Sequence, residues 1–196
     1  MSVVVAIKYK DGVLLGGDTQ ITEDEHLSAF TDSKIFKNKY SNTAIGIVGA
    51  LRDLNLLENE EEYIDYKSIL DKTFIDKKYV ISNVVPKIFK ILEKNHRLYK
   101  ENELLYSYSE CLFGTSNSIF NIGFDGAVSE KEKYYAIGCG KELVIGFLDV
   151  FFSDNKEKDL TLKDAKTLIN KSIAIACQKD VYINDKITYI NLIKEE

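Results

Sequence analysis

Three side chains that could act together in hydrolysis are evenly spaced, since Asp18 lies 16 residues after Ser2 and Lys34 lies 16 residues after Asp18. Removal of Met1 would make Ser2 the first residue, with a hydroxyl and an α-amine on one Cα at the head of a predicted strand. A serine hydroxyl is a poor nucleophile unless a base takes its proton. The unperturbed pKa of an α-amine is about 7.7–8.0, so such an amine needs little adjustment to act as that base.

The spacing of these residues resembles that of the proteasome β-type and HslV-like N-terminal-nucleophile hydrolases. With Ser2 counted as the first residue, Asp18 and Lys34 fall on the aspartate and lysine positions of that family without a gap. The residues Ile35-Phe36 and Gly46-Ile47-Val48-Gly49 continue the match. The family normally begins with threonine, so the serine is a departure from its pattern.

The resemblance implies a role for each of these residues. The α-amine of Ser2 would be the base, and the Lys34 ammonium beside it would lower the pKa of that amine and keep it neutral. A carboxylate next to Lys34, for which Asp18 is the candidate, would fix the position of the lysine. The developing oxyanion needs a preorganised N–H donor, and the glycine segment suggests the N–H of Gly46.

The second half of the chain continues the likeness with two departures. Cys139, in Ala136-Ile137-Gly138-Cys139-Gly140, stands where the family has a serine that bonds near the nucleophile's amine, and a thiol is a weaker donor and acceptor. An alternative is that Cys139 is only a small buried residue at a helix start. Asp180 corresponds to the family's second aspartate, which supports the amine and the lysine. A hydroxyl residue that follows it in the family is Ile183 here.

The resemblance also has implications for ligands and partners. Backbone carbonyls around Cys177, Asp180 and Ile183 could hold a structural monovalent or divalent cation, as in some relatives, although no cofactor is required. The protein would cleave peptides or unfolded proteins inside a homo-oligomeric ring of six or seven subunits. An AAA+ unfoldase driven by ATP would feed the ring, and the location would be cytoplasmic.

Two other functions remain open from the sequence. The chain could be a catalytically inactive, proteasome-like scaffold subunit, which the departures at Cys139 and Ile183 favour, as would retention of Met1. It could also be an N-terminal-nucleophile amidase that acts on a small molecule. A closed ring would favour peptides, and a monomer or dimer with an open pocket would favour the small substrate.

Composition excludes several other classes of function. The chain has 196 residues, of which 45% are hydrophobic, so residues 1–196 are predicted to form a single domain with a full core. A net charge of −5 argues against nucleic-acid binding. No apolar run approaches the length of a membrane span, and no signal peptide is indicated. The three cysteines are widely spaced and His26 and His96 stand alone, so a zinc site is not expected.

The elements that must position these residues follow from the hydrophobic pattern. Two apolar runs, Val3–Tyr9 and Val13–Gly17, flank Lys10-Asp11-Gly12, a strong hairpin signal. Further strands are predicted at 34–40, 44–48, 112–114, 119–123, 134–137 and 186–193. Helices are predicted at 50–66, at 82–99 with Ser82 as N-cap and Pro86 in the first turn, at 141–152, and after a capping box at 161–164. This order suits an α+β fold in which helix pairs cover two stacked sheets, and it matches the four-layer αββα sandwich of the family.

Overall fold

A computed structural model describes residues 2–23, 26–28, 33–60, 75–155 and 159–194 of the chain. Within these ranges two antiparallel sheets are stacked face to face, and helices cover the outer face of each sheet. The chain therefore has the predicted α+β, four-layer αββα architecture. Met1, Asp32 and the predicted helical residues 61–66 lie outside the described residues.

The first sheet contains the strand that begins directly after Ser2. Its strands are β1 (Val3–Tyr9), β2 (Gly12–Asp18), β12 (Tyr134–Gly138) and β13 (Ile187–Ile193). Their order across the sheet is β12-β1-β2-β13, and every neighbouring pair is antiparallel. Tyr9 pairs with Gly12, so the predicted hairpin is present and turns through Lys10 and Asp11.

The second sheet contains the strands that follow Lys34. They are β5 (Ile35–Lys37), β6 (Thr43–Val48), β9 (Glu110–Thr115), β10 (Ile119–Ile122) and β11 (Val128–Lys131), in the order β11-β10-β9-β6-β5. The strand predicted at 34–40 is shorter than expected, and β11 was not predicted. Two small hairpins complete the strands, β3 (Ile21–Glu23) with β4 (His26–Ser28) and β7 (Leu98–Glu101) with β8 (Leu104–Ser107).

The helices form two layers, one outside each sheet. Their bounds are α1 (Leu51–Asn59), α2 (Lys77–Tyr79), α3 (Val85–Lys94), α4 (Lys141–Asp154) and α5 (Leu162–Cys177), with a π-helical turn (Val80–Val84) between α2 and α3. Residues of α1 and α3 pack on the second sheet, and residues of α4 and α5 pack on the first. None of the helices in the described ranges is long and apolar enough to cross a bilayer.

The helix predicted at 82–99 was wrong at both ends. It begins earlier, because the Asp76 side chain caps it by accepting the Tyr79 N–H at 2.7 Å, so Ser82 is not the N-cap. Pro86 consequently lies inside a longer helical run, directly after the π-helical turn, in which the Val85 N–H bonds to the Val80 carbonyl. The helix ends at Lys94 because the Arg97 N–H bonds back to the Leu92 carbonyl, and the β7–β8 hairpin follows.

Strand β1 is buried on both of its faces from Val3 to Ile7, which explains the unbroken apolar run over these residues. Val3, Val5 and Ile7 pack toward α4 and α5, while Val4 and Ala6 pack toward the second sheet. A strand in the middle of a layered domain has no solvent face, so polar residues do not alternate along it. Both ends of β1 are therefore fixed by the core, and Ser2 is placed where β1 leaves it.

The stabilising effect of the capping box at the start of α5 can be tested by substitution. Thr161 accepts the Asp164 N–H through its side chain, and Asp164 accepts the Thr161 N–H in return. We expect Thr161→Ala to lower the free energy of unfolding by about 1 kcal/mol, the usual effect of losing an N-cap. Thr167→Ala, on the same helix and away from the cap, should change it far less. Urea unfolding followed by circular dichroism would measure both, and equal losses would contradict a capping role.

Candidate active site

Ser2 lies at the end of the first sheet, where β1 meets β12. Val3 pairs with Gly138, and the Ser2 carbonyl accepts the Cys139 N–H at 2.9 Å. Gly138 has a φ of +99°, and a Cβ at this position would lie 2.0 Å from the Ser2 carbonyl oxygen. Only glycine fits such a backbone conformation at such a close approach. The turn after β12 therefore fixes the backbone of Ser2.

A buried ion pair joins Asp18, at the end of β2, to Lys34, just before β5. The Lys34 Nζ lies 2.7 Å from the Asp18 Oδ2, and the two side chains are 8% and 0% exposed. The Asp18 carboxylate also accepts the Val3 N–H at 2.7 Å and the Gln20 N–H at 3.2 Å. The structure thus brings together the aspartate and the lysine that the sequence spacing singled out, and it ties them to the residue that follows Ser2.

The charge on Lys34 is set by two opposing effects. Burial lowers the pKa of Lys34 from its ordinary value of 10.5, and the Asp18 carboxylate raises that pKa in part. Lys34 and Ser2 line the same cleft. An ammonium at this place would lower the pKa of a nearby amine, which is the role that the sequence predicted for Lys34.

Cys139 links Ser2 to Asp180. Its thiol lies within hydrogen-bonding reach of the Ser2 carbonyl, at 3.4 Å, and of the Asp180 carboxylate, and its one proton can go to either. Cys139 is exposed as a residue, but burial of its thiol and the Asp180 carboxylate raise the pKa of that thiol to about 11. At neutral pH the thiol is therefore uncharged. The structure brings Cys139 and Asp180 to the backbone of Ser2, and their catalytic roles stay predictions.

Asn184 is a residue of this region that the sequence did not single out. Its side-chain oxygen accepts the Thr19 N–H at 3.2 Å, and its amide group bonds to the Thr19 hydroxyl. The Gln20 side chain donates to the Val181 carbonyl at 2.8 Å. These bonds tie the segment after Asp180 to the residues that follow Asp18. A single asparagine in a polar loop carries no sequence signal that would have indicated this.

The prediction that the Gly46 N–H is the oxyanion donor is wrong, because this N–H does not face the cleft. The Ile47 N–H donates to the Lys34 carbonyl at 2.9 Å. Since alternate residues of an antiparallel strand bond to opposite neighbours, the Gly46 N–H is turned toward Leu112 on β9. Glycine is needed at 46 for packing, as a Cβ there would lie 2.5 Å from a methyl carbon of Val4.

Gly49 lines the cleft together with Ser2 and Lys34. By the same alternation, its N–H lies on the Lys34 side of β6, beyond the point where β5 begins. Its φ is +132°, and a Cβ there would lie 2.4 Å from the Tyr108 carbonyl oxygen, so only glycine fits. Gly49 therefore replaces Gly46 as the candidate donor, and the signal for it was present in the same glycine segment.

The residues around the predicted cation site are occupied by other contacts. The Asp180 carbonyl accepts the Ile183 N–H at 3.2 Å, and the Ile183 side chain is buried against Gly140. Cys177 lies at the end of α5 and is partly buried. No group of three His, Cys, Asp or Glu side chains that could hold a metal ion occurs in the described ranges. The turn is closed by protein contacts, and the cation at its carbonyls stays a prediction.

The chain matches the family model for proteasome subunits over residues 2–190. Among known sequences, "Proteasome subunit beta 2" of Thermococcus kodakarensis is 25% identical over 201 residues, which cover 98% of this chain and 90% of that protein.

Two solved structures share the fold of the chain. BPH of Thiobacillus denitrificans in complex with epoxomicin has a TM-score of 0.73 and 16% identity, and the match covers 99% of this chain and 100% of that chain. Eukaryotic HslV from Trypanosoma brucei has a TM-score of 0.69 and 20% identity, with 97% and 99% covered.

The environment of Cys139 predicts slow alkylation despite its exposure. Because its pKa is raised from 9.0 to about 11, we expect iodoacetamide to modify it at pH 8 roughly a hundredfold more slowly than an ordinary thiol. The rate should rise as the pH approaches 11. Mass spectrometry of timed reactions would measure it, with urea-unfolded protein as the control. Equal rates in the folded and unfolded protein at pH 8 would contradict the predicted influence of burial and of Asp180.

Proposed function

Because this chain belongs to the proteasome subunit family, we propose that it cleaves peptide bonds with an N-terminal nucleophile, which Ser2 becomes once Met1 is removed. The observation that carries this proposal is the buried Asp18–Lys34 pair, which lies at the same cleft as Ser2. Burying two charges costs desolvation free energy, so an ion pair of this kind is weak evidence for a stabilising role alone. Its position beside the head of β1 supports a chemical role.

In the proposed reaction the Ser2 hydroxyl attacks the carbonyl carbon of the substrate while the Ser2 α-amine takes the hydroxyl proton. The Lys34 ammonium favours the neutral form of the amine beforehand, and Asp18 holds the lysine in place. The Gly49 N–H would donate to the oxyanion. The C–N bond then breaks as the amine passes its proton to the leaving nitrogen, and water hydrolyses the remaining ester by the same route.

The cleft supports a peptide substrate over a small molecule. Its described walls are two backbone segments, residues 20–22 and 49–51, with Ile47 and Leu54 as apolar lining. It encloses about 80 Å³, whereas pockets that surround a drug-sized ligand measure roughly 300–1,000 Å³. A space of this size suits one apolar side chain of a longer chain that lies across the cleft. The small-molecule amidase is therefore the less favoured alternative.

A catalytically inactive scaffold is the second candidate function. Cys139 and Ile183 both replace hydroxyl residues of the family pattern, and in the structure Ile183 contributes to the hydrophobic core between α4, α5 and the first sheet. The neutral thiol of Cys139 is a weak hydrogen-bonding group. These two residues would weaken proton transfer at the Ser2 amine, and a chain that keeps Met1 would have no amine there.

We also propose that the protein assembles into rings of six or seven subunits in the cytoplasm, with an AAA+ unfoldase supplying unfolded substrates. The β7–β8 hairpin supports an interface between subunits, because it exposes 59% of Leu104 and 44% of Leu105. Neighbouring apolar side chains exposed in this way are typical of contact surfaces.

Covalent labelling of Ser2 tests the proposed chemistry. The protein should be prepared with a mass-verified Ser2 terminus and treated with epoxomicin, and we expect Ser2 to be labelled and Ser2→Ala to remain unlabelled. Lys34→Ala should slow labelling by roughly 10³-fold or more, the scale of losing one member of a catalytic set. The exposed Lys37→Ala is the matched control and should label normally.

The pH dependence of labelling adds a second criterion to the same experiment. The rate should rise as the amine loses its proton near or below about pH 7.7–8.0. Above that range the rate should level off, because the amine is then neutral even where Lys34, whose pKa burial lowers from 10.5, loses its charge. An assembled protein with a verified Ser2 terminus that is not labelled, and that cleaves nothing with or without an unfoldase, would support the inactive scaffold.

Assembly can be tested separately from activity. We expect sedimentation velocity at micromolar concentration to show a closed ring, and we expect the double variant Leu104→Glu, Leu105→Glu to dissociate it while the circular dichroism spectrum stays unchanged. Val150→Glu, at an exposed apolar position on α4, is a control for added charge. A wild-type monomer under these conditions would argue against the ring and would favour the small-molecule amidase.

A further inference from the structure

We infer that Asp53 is a positioning residue, which acts on the active site through Ser109 and the turn at Gly49 and Ala50. The inference rests on the proposed function. The Asp53 carboxylate is completely buried and accepts hydrogen bonds from the Arg97 Nε at 2.5 Å and the Ser109 Oγ at 2.7 Å. Asp53, Arg97 and Ser109 are absent from the lining of the cleft, as far as the described ranges define it. Their role is therefore not direct contact with a substrate.

Ser109 connects the buried carboxylate to the wall of the cleft. Its hydroxyl oxygen accepts the Ala50 N–H at 3.1 Å while its hydrogen goes to Asp53. A hydroxyl has one hydrogen and two lone pairs, so the acceptor at Asp53 determines which way the lone pairs face. Without that acceptor the hydroxyl could rotate, and the bond to Ala50 would no longer be favoured over others.

The bond to Ala50 fixes the turn that carries the proposed oxyanion donor. Gly49 and Ala50 both line the cleft. A Cβ at Gly49 would lie 2.6 Å from the Ser109 Oγ, so the turn is packed directly against this serine. With the Ala50 N–H held on the Ser109 side, the peptide plane after Gly49 is fixed. This limits the directions that the neighbouring Gly49 N–H can take.

The position of Asp53 in its helix is a second, independent observation. Asp53 lies in the first turn of α1, where an acidic side chain commonly bonds to the helix's own N-terminal N–H groups. The N-cap residue is Ala50, whose side chain cannot accept a hydrogen bond from the first turn. The carboxylate is directed instead toward Arg97 and Ser109, which come from other parts of the chain. This orientation gives up a local stabilising contact in favour of a long-range one.

Arg97 extends the network to the end of α3. Its N–H bonds to the Leu92 carbonyl at 2.8 Å, and its guanidinium lies 4.7 Å from the centre of the Tyr108 ring. Tyr108 directly precedes Ser109, and its carbonyl oxygen lies 2.4 Å from the position that a Cβ at Gly49 would take. The network therefore holds two residues that pack against Gly49. We name Asp53, Arg97 and Ser109 the Asp53 network.

The test compares variants at Ser109 and Asp53 with a matched serine control, all in assembled protein with a verified Ser2 terminus. Ser109→Ala and Asp53→Asn should each lower the saturating rate of Ser2 labelling by epoxomicin roughly 10- to 100-fold, less than the loss of an oxyanion donor itself. The half-saturating concentration should change little, and the double variant should be no slower than Ser109→Ala alone. Ser109→Thr, which keeps the hydroxyl, should restore most of the rate.

Ser118→Ala is the matched control. Ser118 is also buried and donates to a carboxylate, that of Glu130 at 2.9 Å, but it lies at the opposite end of β9 from Ser109. It should lose stability and keep the labelling rate of the folded protein. If Ser109→Ala and Asp53→Asn behave in the same way, with lower stability and an unchanged rate, the Asp53 network is merely structural and the inference is overturned.

Hydrogen exchange gives a readout that does not depend on activity. The Ala50 amide should exchange faster in Ser109→Ala and in Asp53→Asn, and at the wild-type rate in Ser118→Ala, because only the first two disturb its hydrogen bond. Unchanged exchange in the first two variants would overturn the inference. If the wild-type protein is never labelled, the proposed function fails, and the exchange rates still decide whether the Asp53 network holds the turn.

Discussion

The Asp18 carboxylate is the constraint on which the rest of the structure depends. It is shielded from water, so protein donors must satisfy both of its oxygens, since an unpaired buried charge is very unfavourable. Those donors are the Val3 N–H, the Gln20 N–H and the Lys34 ammonium. They come from three separate segments, so satisfying one carboxylate sets the end of the first sheet against the start of β5 in the second. The sheets can approach closely enough because Gly46 presents no side chain to Val4.

Much of the fold could be predicted because its signals are local. The β1–β2 hairpin follows from a turn sequence between two apolar runs, and the start of α5 follows from a capping box. The end of α3 could not be placed from periodicity, because the apolar pattern continues to Tyr99 while a bond from Arg97 to Leu92 closes the helix at Lys94. The end of the helix is set by this backbone hydrogen bond, which the residue types do not indicate.

The parts of the candidate site that depend on spacing along the sequence could be predicted. The parts that depend on how the strands pair could not. Asp18 and Lys34 meet because each stands next to the end of a strand whose position the pattern indicates. The choice between Gly46 and Gly49 depends on which neighbour each N–H faces, and this is set by pairing with residues 34 and 112, far apart in the chain. Asn184 escaped notice for a similar reason, since its contact with Thr19 joins residues 165 positions apart.

The length of β1 separates the cleft from the far end of the first sheet, and this decides where a tag or label can be attached. The strand runs for 7 residues from the cleft to the Lys10–Asp11 turn, about 20 Å at the usual rise of a strand. Ile193 pairs with Gly12 at that far end, and the Lys194 side chain bonds to the Lys10 carbonyl there. A fluorophore or a surface linker attached after Lys194 would therefore sit remote from the cleft. A fusion at the other end would block the amine that the proposed chemistry needs, so affinity tags and optical reporters are better attached after β13.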